Sequence, residues 1–195
     1  MMNRERLMRG LDALGIAYDQ TAMERFEAFH AILDEYNQRM DLTAVLDEDE
    51  RVDRHDLDSA APLAQGLLAQ NARVIDVGTG AGFPGMPLLI LRPDLQMTFL
   101  DALSKRIAFL QDALKRLNLT ATALHARAED AARMDMHREA YDAAVSRAVA
   151  SSATLSRSCR STRSSSSSTA VRSIFWLYSS RIAWNASKRS MAVWS

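Results

Sequence analysis

The residues best suited to chemistry are glycines spaced at alternate positions in one short segment. Gly78, Gly80 and Gly82 directly follow a β-branched run, and Gly85 comes three residues later. Glycine lets a backbone turn sharply and approach a ligand closely, because it has no Cβ atom. A helix that begins after such a loop also presents free amide groups to the ligand. The spacing therefore predicts a ligand-binding loop between a strand and a helix.

Two ligand classes compete for this loop, and a tight turn that binds no ligand is the third interpretation. The pattern Gly80-x-Gly82-x-x-Gly85 matches the dinucleotide fingerprint, and Asp101 ends the next predicted strand, where an acid that binds ribose belongs. An S-adenosyl-L-methionine site instead typically carries an acid two residues before the first glycine, and Asp76 occupies that place. Asp76 therefore favours S-adenosylmethionine over NAD, and an NAD-type dinucleotide-dependent oxidoreductase stays as the alternative.

Further candidate ligand-binding residues follow the third and fourth predicted strands. Arg127, Ala128 and Glu129 come after the third strand, and Arg147 comes after the fourth. Open α/β sheets bind ligands outside the carboxyl ends of their strands. Glu129 could therefore face a cofactor and Arg147 a substrate, while the alternative for both is an ordinary surface charge.

The segment 54–59 brings an imidazole, two carboxylates and a hydroxyl together, which raises the question of a metal site or a catalytic relay. No second His and no Cys lies nearby, so the usual ligands of a transition metal are incomplete. We expect no metal here. The favoured interpretation is a hydrogen-bonded structural His55 and a helix cap at Asp58 or Ser59.

Helices that must position these residues are predicted before the glycine loop. Apolar spacing indicates a short helix within 3–20 that ends near Gly15, and a longer one over 22–40 capped by Thr21. The acidic run 47–50 fits a loop or the first turn of a helix. A helical pattern over 55–68 is interrupted by Pro62.

From residue 73 onward the pattern changes to strands that alternate with helices. Strands are predicted at 74–77, 97–101, 121–126 and 141–146, with helices at 87–91 and 104–117. This alternation is typical of βαβ units and of a parallel sheet. The predicted fold class is therefore α/β, with helices at the amino terminus.

Length and cysteine content narrow the class of protein. The chain has 195 residues and one Cys, so neither an internal disulfide nor a Cys-based zinc finger is expected. Its first residues lack the apolar stretch of a signal peptide, and no apolar run approaches the ~20 residues of a membrane helix. We expect a cytoplasmic protein with no membrane association.

The net charge of zero conceals two different populations of residues. Residues 1–150 contain 17 Lys and Arg against 24 Asp and Glu, for a net charge of −7. Residues 151–195 contain seven basic residues, 16 Ser and no acid, for a net charge of +7. The charge of the whole chain therefore says nothing about a nucleic-acid partner. Local basic residues that favour RNA are Arg51, Arg54, Lys105 and Arg106.

Six motifs together resemble the RsmG (GidB) family, which methylates guanine N7 in bacterial 16S ribosomal RNA. The resemblance runs from about residue 25 to about residue 155. It is carried by Asp41-Leu42-Thr43-Ala44, Arg54-His55-x-Leu57-Asp58-Ser59, the run from Val74 to Gly85, the run from Leu100 to Leu110, Arg127-Ala128-Glu129, and Ser146-Arg147-Ala148-Val149-Ala150. The first motif departs from the family, because Asp41 stands where Asn is usual before Leu-Thr.

The resemblance implies a fold, a cofactor and a partner. It implies a Rossmann-like class I methyltransferase sheet, with an N-terminal helical region at 1–72 and an S-adenosylmethionine-binding α/β domain at 73–151. The implied partner is 16S rRNA in the small ribosomal subunit, and the protein is expected to be a monomer. Guanine N7 already carries a free lone pair, so no general base is required. The implied cofactor contacts are Gly78, Phe83, Ala128, Glu129 and Arg147, with Asp101 as the ribose acid, while Arg127 and Arg147 position RNA or organise the pocket.

After about Leu155 the resemblance stops, and the family's C-terminal strands are missing. The Ser/Arg-rich segment 152–195 suggests translation out of frame, so we hypothesise a frameshift between Ser152 and Ser156. A genuine basic RNA-binding tail is the alternative. Without those strands the product could also be an inactive RNA-binding remnant.

Overall fold

A computed structural model of the chain describes residues 2–138 and 140–147. The predicted tail at 152–195, the hypothesised frameshift and the predicted loss of C-terminal strands lie outside these residues. Within them, no helix is both long enough and apolar enough to cross a membrane.

The first two helices are α1 (Arg4–Ala13) and α2 (Gln20–Met40). The predicted cap of α2 at Thr21 is wrong. Asp19 has an extended backbone, and its carboxylate accepts a hydrogen bond from the Ala22 amide at 2.7 Å, so the helix begins at Gln20, two residues earlier than predicted.

The third helical segment is continuous and contains a π-helical turn that the sequence pattern did not indicate. It consists of α3 (Glu48–Arg51), the π-helical turn Val52–Leu57 and α4 (Asp58–Ala64). The acidic run forms the first turn of α3, which is one of its two predicted interpretations. Pro62 lies inside α4 and does not interrupt the segment. π-Helical turns are rare and occur frequently at functional sites.

The predicted parallel sheet is confirmed. Its strands lie in the order β3-β2-β1-β4, and all three pairings are parallel. Since the chain moves outward from β1 to β3 and then returns to the other side of β1, the strand order reverses between β1 and β4. Ligands of open α/β sheets bind at such a switch point. The elements are β1 (Arg73–Val77), α5 (Gly85–Leu91), β2 (Gln96–Asp101), α6 (Ser104–Arg116), β3 (Thr122–His125), α7 (Ala128–Ala131) and β4 (Ala143–Val145).

One hydrophobic core joins the amino-terminal helices to one face of the sheet. Phe29 of α2 is fully buried, and its ring centroid lies 5.5 Å from that of Phe83 and 6.5 Å from that of Phe109. The opposite face of the sheet forms a second, smaller cluster around Ile75 and Leu100. The division at residue 72 stays a prediction, and the helices before it share a core with the sheet after it.

Phe29→Ala is expected to destabilise the chain by about 3–5 kcal/mol, because it empties the point where α2, α6 and the glycine loop meet. Urea unfolding followed by far-ultraviolet circular dichroism measures the change. Leu46→Ala is the control, since Leu46 is 72% exposed and its loss should change stability by about 0.5 kcal/mol or less. Similar midpoints for the two variants would contradict this account of the core.

Candidate functional site

The glycine loop that connects β1 to α5 is fastened to the end of β2. The amides of Gly78 and Thr79 both donate to the Leu100 carbonyl, at 2.8 and 3.1 Å, and the Gly80 amide donates to Asp101 Oδ2 at 3.0 Å. The three alternating glycines have positive φ angles between 59° and 91°. Residues with a side chain rarely adopt such angles, which explains the glycine spacing.

Asp76 holds the two ends of this loop together from the carboxyl end of β1. Its Oδ2 accepts hydrogen bonds from the Thr79 hydroxyl at 2.7 Å and from the Gly85 amide at 2.9 Å. A Cβ at Gly85 would lie 2.4 Å from the Phe99 ring, so only glycine fits there. Burial raises the pKa of Asp76 to about 6, against the effect of these hydrogen bonds.

The second carboxylate oxygen of Asp76 has no hydrogen-bond partner among the described residues. This oxygen, Oδ1, is buried. Such an oxygen is costly unless a donor reaches it, and a bound ligand can supply one.

Asp101 lies at the end of β2, as predicted for the acid that binds ribose. Its Oδ1 accepts from the Leu103 amide at 2.8 Å, and its Oδ2 accepts from the Gly80 amide and, at 3.4 Å, from the Arg106 guanidinium. Each carboxylate oxygen has two lone pairs, so Oδ1 can accept one more hydrogen bond. Asp101 therefore fastens the glycine loop and keeps acceptor capacity on Oδ1.

Arg147 comes two residues after β4, beside the glycine loop. Its Nη1 donates to the Arg54 carbonyl and to His55 Nδ1, both at 2.9 Å. Its guanidinium carbon lies 4.9 Å from the centroid of the Phe83 ring, within the range of a cation–π contact. Burial lowers the pKa of Arg147 from its ordinary value. The side chain is thus fixed by three contacts with the amino-terminal half of the chain.

His55 is a neutral hydrogen-bonded link between Arg147 and Thr43. A guanidinium only donates hydrogen bonds, so Nδ1 of the imidazole accepts and Nε2 carries the proton. Nε2 then donates to the Thr43 hydroxyl at 3.0 Å. Burial, together with nearby arginines, lowers the pKa of His55 to about 3. The prediction of a hydrogen-bonded His55 is confirmed, but its contact with Arg147, 92 residues away, was not predicted.

The predicted helix cap at Asp58 or Ser59 is wrong, because the helical segment is already continuous before both residues. The Ser59 hydroxyl instead donates to the His55 carbonyl. Asp58 is half-buried, and burial raises the pKa of its carboxyl group to about 6. No group of three or more His, Cys, Asp or Glu side chains in residues 2–138 and 140–147 is arranged to hold a metal ion.

The predicted site residues lie at the carboxyl ends of all four strands, but not all of them are close together. Gly78 follows β1, Asp101 ends β2 and Arg147 follows β4, so these three residues lie at the ends of adjacent strands. Ala128 and Glu129 follow β3, on the outer side of β2. Arg127 and Glu129 are exposed, and their side chains make no hydrogen bond to the described residues. The Phe83 ring is buried between His55, Phe29 and Arg147, which leaves it 2% exposed.

Three of the four basic residues that favoured RNA pair with a carboxylate of the protein. Arg51 is 3% exposed and donates to Asp34 Oδ1 at 2.6 Å, so its predicted contribution to RNA binding is wrong. Arg106 contacts Asp101 at 3.4 Å. Lys105 is exposed on α6, and Arg54 is exposed with Glu50 at 3.6 Å.

Comparison with known proteins gives a consistent set of relatives. The GidB family, described as rRNA small subunit methyltransferase G, matches residues 22–173. Relatives with the name ribosomal RNA small subunit methyltransferase G come from Lachnoclostridium phytofermentans, 40% identical over 82% of this chain and 66% of the relative, and Clostridium perfringens, 38% identical over 78% and 64%. A third comes from Thermoanaerobacter sp., 42% identical over 75% and 61%.

The sequence relatives are longer than the part of them that this chain matches. The chain spans between 61% and 66% of the length of the three relatives. The family match ends at residue 173, beyond Leu155, where the sequence motifs place the end of the resemblance. The frameshift itself stays a prediction.

Among solved structures, a protein-L-isoaspartate O-methyltransferase from Plasmodium falciparum in complex with S-adenosyl-L-homocysteine is 15% identical, with a TM-score of 0.46 over 75% of this chain and 73% of that one.

His55 is expected to stay neutral, with its proton on Nε2, between pH 5 and pH 8, because its pKa is about 3. Nitrogen chemical shifts of the imidazole during a pH titration report both the charge and the tautomer. As the unfolded pKa is about 6.5, the unfolded chain binds a proton first, so His55 reduces stability as the pH falls below about 6.5.

Arg147→Met should raise the pKa of His55, since it removes a neighbouring positive charge and a donor to Nδ1. Arg133→Met is the matched control, because the Arg133 side chain is 79% exposed and contacts Asp130. Protonation of wild-type His55 near pH 6.5 would refute the proposed link.

Proposed function

Since the chain belongs to the GidB family, the rRNA small subunit methyltransferases G, we propose that it methylates guanine N7 in 16S rRNA, with S-adenosylmethionine as the methyl donor. One observation carries this proposal beyond the family match. At the switch point between β1 and β4, a glycine loop, a buried carboxylate with an unused oxygen and a fixed arginine converge.

The residues at this edge fit the methionine part of S-adenosylmethionine. The unused Oδ1 of Asp76 can accept a hydrogen bond from the ligand's ammonium group. The hydrogen bonds of Arg147 to the described residues use one terminal nitrogen, so its other donors can bind the ligand's carboxylate. A Cβ at Gly80 would meet nothing closer than the Gly78 carbonyl at 4.0 Å, which leaves open space beside the loop.

The same geometry disfavours a dinucleotide. A pyrophosphate would need the free amides at the start of α5. The Gly85 amide already donates to Asp76 Oδ2, and that carboxylate is mostly ionised at neutral pH because its pKa is about 6. Two negative groups at one helix start would repel each other, whereas the sulfonium of S-adenosylmethionine is positive.

Methyl transfer to guanine N7 requires alignment of the methyl donor with the base and no proton transfer. When bound, the cofactor supplies a sulfonium methyl group, whose C–S electron pair stays on sulfur as the lone pair of guanine N7 forms the new N–C bond. Alignment of donor and acceptor then accounts for much of the rate. Arg147, held by His55 and Phe83, binds and orients in this proposal, and neutral His55 accepts no proton from the substrate.

Positive charge moves from the sulfonium to the purine during the reaction. Asp76 and Asp58 are the carboxylates that act most strongly on the charge of Arg147. They supply negative potential on the side of the site where the cationic purine forms.

The remaining predicted contacts belong to this proposal. Ala128 and Glu129 bind the cofactor, Asp101 accepts from its ribose, and exposed Arg127 and Lys105 contact RNA phosphates. We also propose that the protein acts as a monomer in the cytoplasm.

Calorimetry should detect binding of S-adenosylmethionine and none of NAD. Arg147→Met should weaken binding of S-adenosylmethionine by about tenfold or more, since hydrogen bonds to charged groups contribute ~1.5–3 kcal/mol. Arg133→Met should leave it unchanged. Binding of NAD alone would instead support the oxidoreductase.

Small ribosomal subunits from cells that lack this modification should gain 7-methylguanosine when incubated with the chain and S-adenosylmethionine. Mass spectrometry of the digested rRNA measures the product and its position. Reactions without S-adenosylmethionine are the control. A chain that binds the cofactor and transfers no methyl group would support the inactive remnant.

A further inference from the structure

Asp58 is a half-buried carboxylate of the helical segment to which Arg147 is bonded. Among residues 2–138 and 140–147, no donor forms a hydrogen bond with its side chain. Asp76 and Asp101, the other acids of the site, each accept at least two hydrogen bonds. The acceptor capacity of the half-buried Asp58 carboxylate is therefore unused within the described residues and is open to solvent or to a ligand.

The position of Asp58 is tied to Arg147. Asp58 begins α4, three residues after His55 and four after Arg54, both of which accept hydrogen bonds from Arg147, yet Asp58 and Arg147 do not form an ion pair with each other. Arg147 instead donates to the carbonyl of Arg54 and to His55, so its position does not depend on Asp58. The carboxylate therefore lies near the fixed arginine and is free to bind another group.

The backbone around Asp58 is anchored on both sides. Two residues before it, Asp56 is fully buried and bonds to His30 of α2 at 2.8 Å. One residue after it, Ser59 is 1% exposed and donates to the His55 carbonyl. A carboxylate on so firmly held a segment is pre-organised for recognition.

We propose that Asp58 selects guanine by accepting hydrogen bonds from the N1–H and 2-amino groups of the target base. This inference rests on the proposed function. Among the four RNA bases, guanine presents two adjacent donors on its Watson–Crick edge, and a carboxylate presents two matching acceptors. N7 lies on the opposite side of the purine, so recognition by Asp58 leaves it free to react.

This contact also strengthens during the reaction. Methylation at N7 makes the purine cationic, and the charge makes N1–H and the 2-amino group stronger donors. Hydrogen bonds between charged partners are roughly twice as strong as neutral ones. Asp58 would therefore bind the transition state more tightly than the substrate, which raises the rate as well as the selectivity.

The test compares Asp58→Asn with wild type in methyl transfer and in cofactor binding. Asparagine has one acceptor and places a donor amide against a donor edge. We expect kcat/KM for small subunits to fall about 100-fold, as two hydrogen bonds to a charged group allow, and the Kd for S-adenosylmethionine to change less than about twofold. Asp53→Asn is the matched control, since Asp53 lies in the same segment and pairs with Arg6 of α1.

Inosine at the methylated position provides a chemical double-mutant cycle, because inosine lacks the 2-amino group. Wild type should lose about tenfold in rate on inosine, and Asp58→Asn should lose nothing further. If circular dichroism shows that Asp58→Asn does not fold, Asp58→Glu enters the same cycle and should retain sensitivity to inosine.

Three results would overturn the inference. One is transfer by Asp58→Asn within about threefold of wild type. Another is an equal loss of S-adenosylmethionine affinity, which would place Asp58 at the cofactor's ammonium group. The third is a wild type that binds S-adenosylmethionine and transfers no methyl group, and this result alone would also overturn the proposed function.

Discussion

The site depends on the way in which Arg147 is held. Its guanidinium bonds to a backbone carbonyl and an imidazole of the π-helical turn and lies against the Phe83 ring. The two hydrogen bonds join the strand end after β4 to the amino-terminal helices across more than 90 residues of sequence. The helices therefore do more than cover one face of the sheet, because they fix the position of the Arg147 guanidinium beyond the end of β4.

Acidic and basic groups are both withdrawn from solvent at this site, and burial shifts their pKa values. Burial raises the pKa values of Asp58 and Asp76 to about 6, and the positive charge of Arg147 opposes that rise. His55 responds in the other direction and stays neutral, which lets its ring accept from Arg147. Neutral His55 can accept the hydrogen bond of Arg147, and the charge of Arg147 in turn helps to keep His55 neutral.

The sequence predicted the local features of this fold well and the long-range ones poorly. Asp101 and the glycine loop were placed correctly, since strand pattern and glycine spacing are visible within about 30 residues. Arg51 was misassigned to RNA because its burial against Asp34 depends on how α2 packs. The contact between His55 and Arg147 has no local signal, as it exists only once the sheet has formed.

The π-helical turn has a consequence for how this protein tolerates change in length. Such a turn holds one residue more than the α-helical turn it replaces. Because the turn absorbs this residue locally, loss of one residue between Val52 and Leu57 would restore an ordinary α-helical turn and leave Asp58 and Ser59 facing the same way. In a regular helix, the same loss would rotate everything after it by about 100°. The segment that holds Arg147 should therefore tolerate loss of one residue at this turn better than loss of one residue from α4.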